Sequence, residues 1–147
     1  MDLDYELLKL DNQLCFPLYA CSKEVVRKYK PYLDEIGLTY TQYITMMVLW
    51  ERNNVNVKQL GEYLYLDSGT LTPLLKKLEQ QGLIIRKRLP EDERNVMIEL
   101  TDSGKELKTR AAQIPVQMGK CIGLTKEESK ILYKLLYKVL TFDGITE

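Results

Sequence analysis

Three cysteines, ten tyrosines and no histidine set the chemistry open to this 147-residue chain. Without an imidazole it lacks the ordinary general base near neutral pH and the commonest metal ligand, so hydrolase triads and histidine-rich zinc sites are excluded. Cys15, Cys21 and Cys121 stand far apart with no C-x-x-C pair. That spacing argues against both a disulfide scaffold and a four-thiolate zinc site. No metal and no cofactor is expected. In a reducing compartment such thiols are either buried small hydrophobes or reactive sites. Cys15 is followed two residues later by Pro17. Either a helix begins shortly before that proline, which puts Cys15 at a helix N-terminus where the dipole favours a thiolate, or the helix kinks there.

A second group of residues suits a different partner. The stretch from Leu66 to Gly82 reads as one short helix, with Leu71, Leu74, Leu75 and Leu78 at i, i+3, i+4 and i+7 on a face to be buried. Asp67 or Ser68 can cap its start, and Gly82 can close its end in the left-handed conformation. Thr70, Thr72, Pro73, Lys76, Lys77 and Gln80 look outward. Small hydroxyls at the front of a helix and lysines farther along match a groove lined first by base edges and then by phosphates.

The elements around this helix must hold it in place. Val57 to about Leu64 forms a short helix joined to it by a tight connection, which is the helix-turn-helix arrangement. After Gly82 come two short strands, Leu83–Arg88 and Val96–Leu100, flanking the charged loop 89–95. This hairpin reads as a wing whose tip, Arg94, suits a narrow negative minor groove, with Asp92 placed to hold the guanidinium by a bidentate pair.

Upstream, residues 10–30 form a first helical segment ended by Pro31, with Cys21 as a buried small residue. Residues 39–52 form a second, opened by Thr39 or Thr41, with Tyr43, Ile44, Met47, Val48 and Trp50 toward a core. Downstream, a helix from Thr101 ends or bends near Pro115, Gly119 to Gly123 is a loose connection, and Thr125 with Glu128 forms a capping box for a last helix to about Phe142. On that helix Ile131, Leu132, Leu135, Leu136, Val139 and Leu140 make an apolar stripe. The small winged unit has too little surface to bury amphipathic helices at both ends of the chain, so a homodimer is expected.

The whole is mostly α with a small β-hairpin wing: one protomer over 1–147, with a winged helix-turn-helix unit at 37–101 and dimerisation helices at 1–36 and 102–147. Formal charge balances at 21 acidic and 21 basic residues, so no global field marks a nucleic-acid partner, but the distribution is uneven. Five basic residues between Lys76 and Arg88 face the single acid Glu79, whereas Asp2, Asp4, Glu6 and Asp11 crowd the first eleven residues against Lys9. No apolar run approaches a membrane span and no basic-then-apolar leader opens the chain, so a cytoplasmic protein is expected.

The order helix, helix-turn-helix, wing, helix resembles the MarR family of dimeric winged-helix transcription regulators, and Asp92-Glu93-Arg94 followed by Leu100-Thr101-Asp102-x-Gly104 matches its wing and exit helix. Five stretches are similar to the organic-hydroperoxide-sensing (OhrR-type) branch: Leu10–Phe16, Leu18–Ala20, Tyr29–Pro31, Leu38–Tyr40 and Tyr65–Pro73. Pro17 departs from the branch, standing where a residue that continues the helix is usual. The resemblance implies that Cys15 is the peroxide-reactive cysteine and that Tyr19, Tyr29 and Tyr40 hydrogen-bond around it, some from the partner subunit. Phenolic donors and a helix terminus can stabilise negative sulfur without histidine. It further implies an intersubunit disulfide between Cys15 and Cys121, because Cys121 sits about where members with a second cysteine carry the resolving residue. Cys21, six residues from Cys15 on one helix, is about 9 Å farther along and is a poor resolver.

The function expected is a redox-switched repressor. In the reduced dimer Ser68, Thr70, Thr72 and Pro73 lie near bases of a pseudo-palindromic double-stranded DNA, with Lys76, Lys77, Arg86, Arg88 and Arg94 on phosphates or in the minor groove. Oxidation of Cys15 by an organic hydroperoxide releases the DNA. Two rivals stand beside it: the same DNA reader controlled by a reversible small aromatic ligand, and a thiol peroxidase. The peroxidase is disfavoured because no arginine lies nearer Cys15 in sequence than Arg27.

Overall fold

The computed structural model describes residues 4–144, apart from the side chain of Glu93. Two short 3-10 turns, Tyr5–Leu8 and Leu10–Asn12, lead into α1, Cys15–Asp34. The helix starts at Cys15, so Pro17 is its third residue and costs no hydrogen bond. Pro31 lies inside the helix and does not end it. The stop is Gly37 at φ +70°, where the Gly37 and Leu38 N–H groups bond back to the carbonyls of Asp34 and Leu33 at 3.2 and 3.1 Å.

Helix α2, Tyr40–Glu51, is opened by Thr39 in a reciprocal capping box with Gln42. Its buried face is Gln42, Tyr43, Thr45, Met46 and Leu49, while Met47 is exposed. Of the residues expected inward, Tyr43 is buried and Ile44, Val48 and Trp50 pack against the core, while Met47 turns out and Met46 and Leu49 fill the centre. Nearly every residue from Tyr43 to Trp50 is apolar, so no polar side was there to orient the helix. The Trp50 indole N–H donates to the Gly104 carbonyl at 2.8 Å and ties the end of α2 to a later helix.

Helices α3 (Val57–Leu64) and α4 (Ser68–Gln80) are joined through Tyr65, Leu66 and Asp67. Asn56 and Gln59 form the capping box of α3, and the Asp67 carboxylate caps α4 through the Thr70 N–H at 2.7 Å. The turn is tight: a Cβ on Gly61 would stand 2.7 Å from the Leu66 carbonyl oxygen, so only glycine lets the two helices meet. Tyr65 takes the left-handed conformation, φ +55°, to turn the chain. Leu71, Leu74, Leu75 and Leu78 are all buried, and Gly82 ends the helix at φ +74°.

The wing is longer and tighter than a two-strand hairpin around a seven-residue loop. Strand β2 (Ile84–Leu89) and β3 (Asp92–Leu100) run antiparallel and turn at Pro90 and Glu91, with an irregularity after Arg88 where Leu89 pairs with Asp92. A third strand, β1, is only Val55–Asn56; it pairs with Ile98 and Met97 and makes β3 the centre of the sheet. Helix α5, Asp102–Ala111, follows. A Cβ on Gly104 would collide with the Leu83 carbonyl, so glycine is required for α5 to lie against the root of the wing.

Residues 119–121 are not loose connection. Ile114–Cys121 is a helix of its own, α6, started by Pro115 in its first turn, where proline has no hydrogen bond to lose. Helix α7, Lys126–Leu140, carries the Thr125/Glu128 capping box. Core residues run from Leu33 to Met118, drawing on α1 only at its end. No residue of α7 is buried. Among the described residues no helix is long and apolar enough to cross a membrane.

Candidate thiol site and nucleic-acid interface

Cys15 is the first residue of α1 and is exposed. Its amide lies among those at the helix start that have no partner within the helix, and the dipole there favours negative sulfur. Tyr19 is one turn on and exposed; its hydroxyl accepts from the Lys23 ammonium at 3.4 Å, and the same ammonium sits 5.1 Å from the ring centroid. Tyr29 and Tyr40 are elsewhere. Their rings stack tilted at 4.9 Å, with Tyr43 5.8 Å from Tyr29, at the junction of α1 and α2. Tyr29 is about 21 Å along the helix from Cys15 of the same protomer. Burial pushes the Tyr29 phenol up to about 12, helped by Tyr40 and Tyr43, and raises Tyr40 as well. These phenols stay protonated, as donors to an anion must.

Cys21 is exposed, against the expectation of a buried residue. The first two-thirds of α1 has no core of its own protomer beneath it, since Leu33 is the helix's only buried residue.

Cys121 ends α6 against α1. Its sulfur is 3.6 Å from the Tyr32 hydroxyl, and its carbonyl accepts from the Lys28 ammonium at 3.1 Å. Contact with the thiol raises the Tyr32 phenol above its ordinary value. Lys28 and Tyr32 lie about 20 and 25 Å along α1 from Cys15. A disulfide needs α-carbons about 5.5 Å apart, so within one protomer these two thiols cannot join. Tyr32, beside Cys121, is a neighbour that the sequence did not single out, and Tyr43, expected only in the core, adds its ring to the Tyr29–Tyr40 pair. Tyr32 and Cys121 are 89 residues apart, and only the extra helix α6 brings them together.

The outer face of α4 is arranged as the periodicity required: Ser68, Thr70, Thr72, Pro73, Lys76 and Lys77 are all exposed. The Thr72 hydroxyl donates to the Ser68 carbonyl at 2.8 Å, and Pro73 has no N–H for the Gly69 carbonyl. Arg88 and Arg94 are exposed on the wing. Asp92 does not fork the Arg94 guanidinium. It accepts from the Arg94 backbone N–H at 3.0 Å, an aspartate turn in which the short side chain satisfies the chain two residues on. Arg86 is not free either: Glu79 of α4 bonds its guanidinium at 3.0 Å. Thus α4 and the wing tip present one surface, with Ser68 and Arg94 lining a shared groove with Val57, Lys58, Glu62 and Leu66.

The family model described as "Transcriptional regulator SarA/Rot" matches residues 27–111. The organic hydroperoxide resistance transcriptional regulator of Bacillus subtilis (strain 168) is 52% identical over 143 residues, covering 95% of each chain. The HTH-type transcriptional regulator SarZ of Staphylococcus epidermidis is 45% identical over 140 residues, covering 94% of this chain and 95% of that one. Among solved structures, reduced AbfR bound to DNA superposes with TM-score 0.77 at 36% identity, covering 92% of this chain and 94% of that one. Overoxidised AbfR bound to DNA gives 0.77 at 35% identity, covering 94% and 97%. Disulfide-formed AbfR gives 0.64 at 36% identity, covering 92% of each chain. The named relatives are regulators, which sets aside the peroxidase alternative. With its capped helix-turn-helix, three-stranded wing and full-length likeness to these proteins, the chain belongs to the SarA/Rot family of transcriptional regulators, in the MarR-type winged-helix branch that includes the organic hydroperoxide resistance regulators.

Proposed function

We propose that the chain is a cytoplasmic homodimeric repressor that binds a pseudo-palindromic operator when Cys15 is reduced and releases it when an organic hydroperoxide oxidises that thiol. The observation that carries the reading is the place of Cys15: exposed at a helix start, on an arm that its own protomer leaves uncovered. The accessible surface supports the dimer. It is 11442 Å² for a 17.2 kDa chain, against roughly 7,800 Å² for a compact monomer of that mass. A second copy burying the α7 stripe and the face of α1 accounts for the excess. It also brings a partner's Tyr29 and Tyr40 toward Cys15, which those residues cannot reach within one chain. In the DNA-bound state Ser68, Thr70, Thr72 and Pro73 face base edges, and Lys76, Lys77, Arg88 and Arg94 take phosphates or the minor groove.

The chemistry runs in two steps. The Cys15 thiolate attacks the terminal peroxide oxygen, the O–O bond breaks, the leaving alkoxide takes a proton from solvent and departs as the alcohol, and Cys15 keeps the transferred hydroxyl as a sulfenic acid. The partner's Cys121 thiol then displaces that oxygen as water and forms the disulfide. Because Cys121 packs beside Tyr32, about 25 Å along α1 from Cys15 of the same chain, the pairing joins two chains. AbfR is bound to DNA both reduced and overoxidised, and it has a disulfide-formed state. That set supports assigning release to the disulfide and not to oxidation as such. The chain's likeness to the DNA-bound forms supports reading its conformation as the binding one.

The test is binding to the duplex upstream of its own gene at fixed salt, before and after one equivalent of cumene hydroperoxide and again after dithiothreitol. Loss with peroxide and recovery with thiol is expected, and Cys121→Ser should stay bound after oxidation. Release from Cys121→Ser at an unchanged dose, with no small-thiol adduct, overturns the resolving role. The rival reading is a reversible small aromatic ligand held between the helices, with Cys15 and the tyrosines as bystander lining. A Cys15→Ser protein that still answers its inducer fully would establish it.

A further inference from the structure

We infer that Arg86 is not a DNA contact but, with Glu79, a positioning pair that fixes the wing to the recognition helix α4; the inference rests on the DNA-binding reading above. The sheet register sets the direction. Arg86 pairs across from Ile98, which is fully buried, and shares its face of β2 with the buried Ile84. Side chains at alternate strand positions share a face and opposed residues point the same way. Arg86 therefore leaves the strand on the side of α4, not toward solvent.

The contacts agree with that direction. One oxygen of the Glu79 carboxylate accepts from the Arg86 guanidinium at 3.0 Å, and the other accepts from the Arg86 backbone N–H at 3.2 Å. A single carboxylate thus holds both the side chain and the main chain of the strand. The Arg86 Nε is buried with no partner, as fits a guanidinium packed against protein. Glu79 occupies the last turn of α4, where the helix dipole opposes a negative charge. A carboxylate there needs a cation, and Arg86 is the one supplied.

The function of the pair follows from what it joins. The exposed face of α4 and the tip of the wing must enter adjacent grooves of one duplex, and their separation is set where β2 leaves the helix. Glu79 and Arg86 span that root. With the pair intact the two reading elements meet DNA already spaced, and the ordering cost is met in folding instead of binding.

The experiment uses the full-length reduced protein, the same duplex, and affinity measured across a salt series for Glu79→Gln, Arg86→Met, the double variant, and Lys76→Met as a phosphate-contact reference. Each pair variant is expected to bind roughly three- to tenfold more weakly, the cost of ordering one or two freed side chains. The slope of log affinity against log salt should stay at the parent's value, and the double variant should bind no worse than the weaker single. Lys76→Met removes one phosphate contact from each half of the dimer and should lose about 1.8 from that slope. If the slope falls by about that much for Arg86→Met while Glu79→Gln binds equally or more tightly, Arg86 touches a phosphate and the inference fails. Should a single variant fold poorly by circular dichroism, the exchanged pair Glu79→Arg with Arg86→Glu replaces it: recovery of affinity supports the pairing, and no recovery in a folded protein overturns it. A parent protein that binds no duplex overturns the DNA reading and this role together, whereas a changed slope overturns this role alone.

Discussion

The winged head and the terminal helices solve the burial problem in opposite ways. In the head, each apolar stripe closes against another part of the same chain: Leu78 and Ile98 are fully buried, and the glycines at 61 and 104 let backbones approach where a Cβ would not fit. At the ends, comparable stripes stay open. Leu135 and Leu136 on α7 and Leu18 on α1 are exposed although their spacing is that of core residues. The head is thus specified within one chain, and the ends are left uncovered by it. On the dimeric reading proposed above, a signal can act on the joint between copies while each reading head stays folded.

The largest effect that sharpens the contrast should come from the head. Leu78→Ala is expected to cost about 3 kcal/mol in urea unfolding, since the surrounding leucines cannot collapse onto the space left. Next comes Leu135→Glu on α7, which should weaken self-association by about 2 kcal/mol, or roughly thirtyfold, in sedimentation while the isolated protomer keeps its circular dichroism. If that variant instead unfolds the head, or stays fully dimeric, the division is wrong. Thr125→Ala removes the cap of α7 and should cost about 1 kcal/mol, seen as a melting temperature that depends more steeply on protein concentration.

The smallest effect is a pH dependence. Tyr29 is raised to about 12 in the folded protein, from an ordinary value of about 10. Its neutral form is thus favoured on folding: the contribution is whole below about 10 and is lost as pH rises from there through the folded value. Tyrosinate absorbance of the native protein should show a late-titrating group of phenols that loses one member in Tyr29→Phe, with alkaline stability declining less steeply in that variant.

Where a signal was local, the sequence carried the fold. Thr125 with Glu128 wrote a helix start into four residues, Thr39 was one of two threonines that could open α2, and the spacing of Leu71 to Leu78 was enough by itself to orient α4. What stayed hidden depends on distant partners. Strand β1 is two residues whose mates lie some forty positions on, and two residues hold no readable period. The inward direction of Arg86 was hidden because Leu83-Ile84-Ile85 is apolar at three consecutive positions, leaving no alternation to tell the buried face from the open one. Tyr32 beside Cys121 had no signal in sequence at all. Of the thiol site, a helix start at Cys15 was one of the two readings that Pro17 left open, and the exposure of Cys21 was not legible, because the chain's own core reaches α1 only at its end.

Pro31 gives α1 a mechanical character. Lacking an N–H, it leaves the Arg27 carbonyl without its helical bond, one turn before the buried Leu33. Stiff rod on one side and anchored foot on the other, the helix is a lever whose soft point lies next to its fulcrum. From there to Cys15 is about 24 Å, so a bend of about 5° moves the thiol by about 2 Å. Reversed, a sulfur pulled that far at the free end is taken up first as a bend at Pro31, so the foot with its buried Leu33 can hold its place while the arm moves.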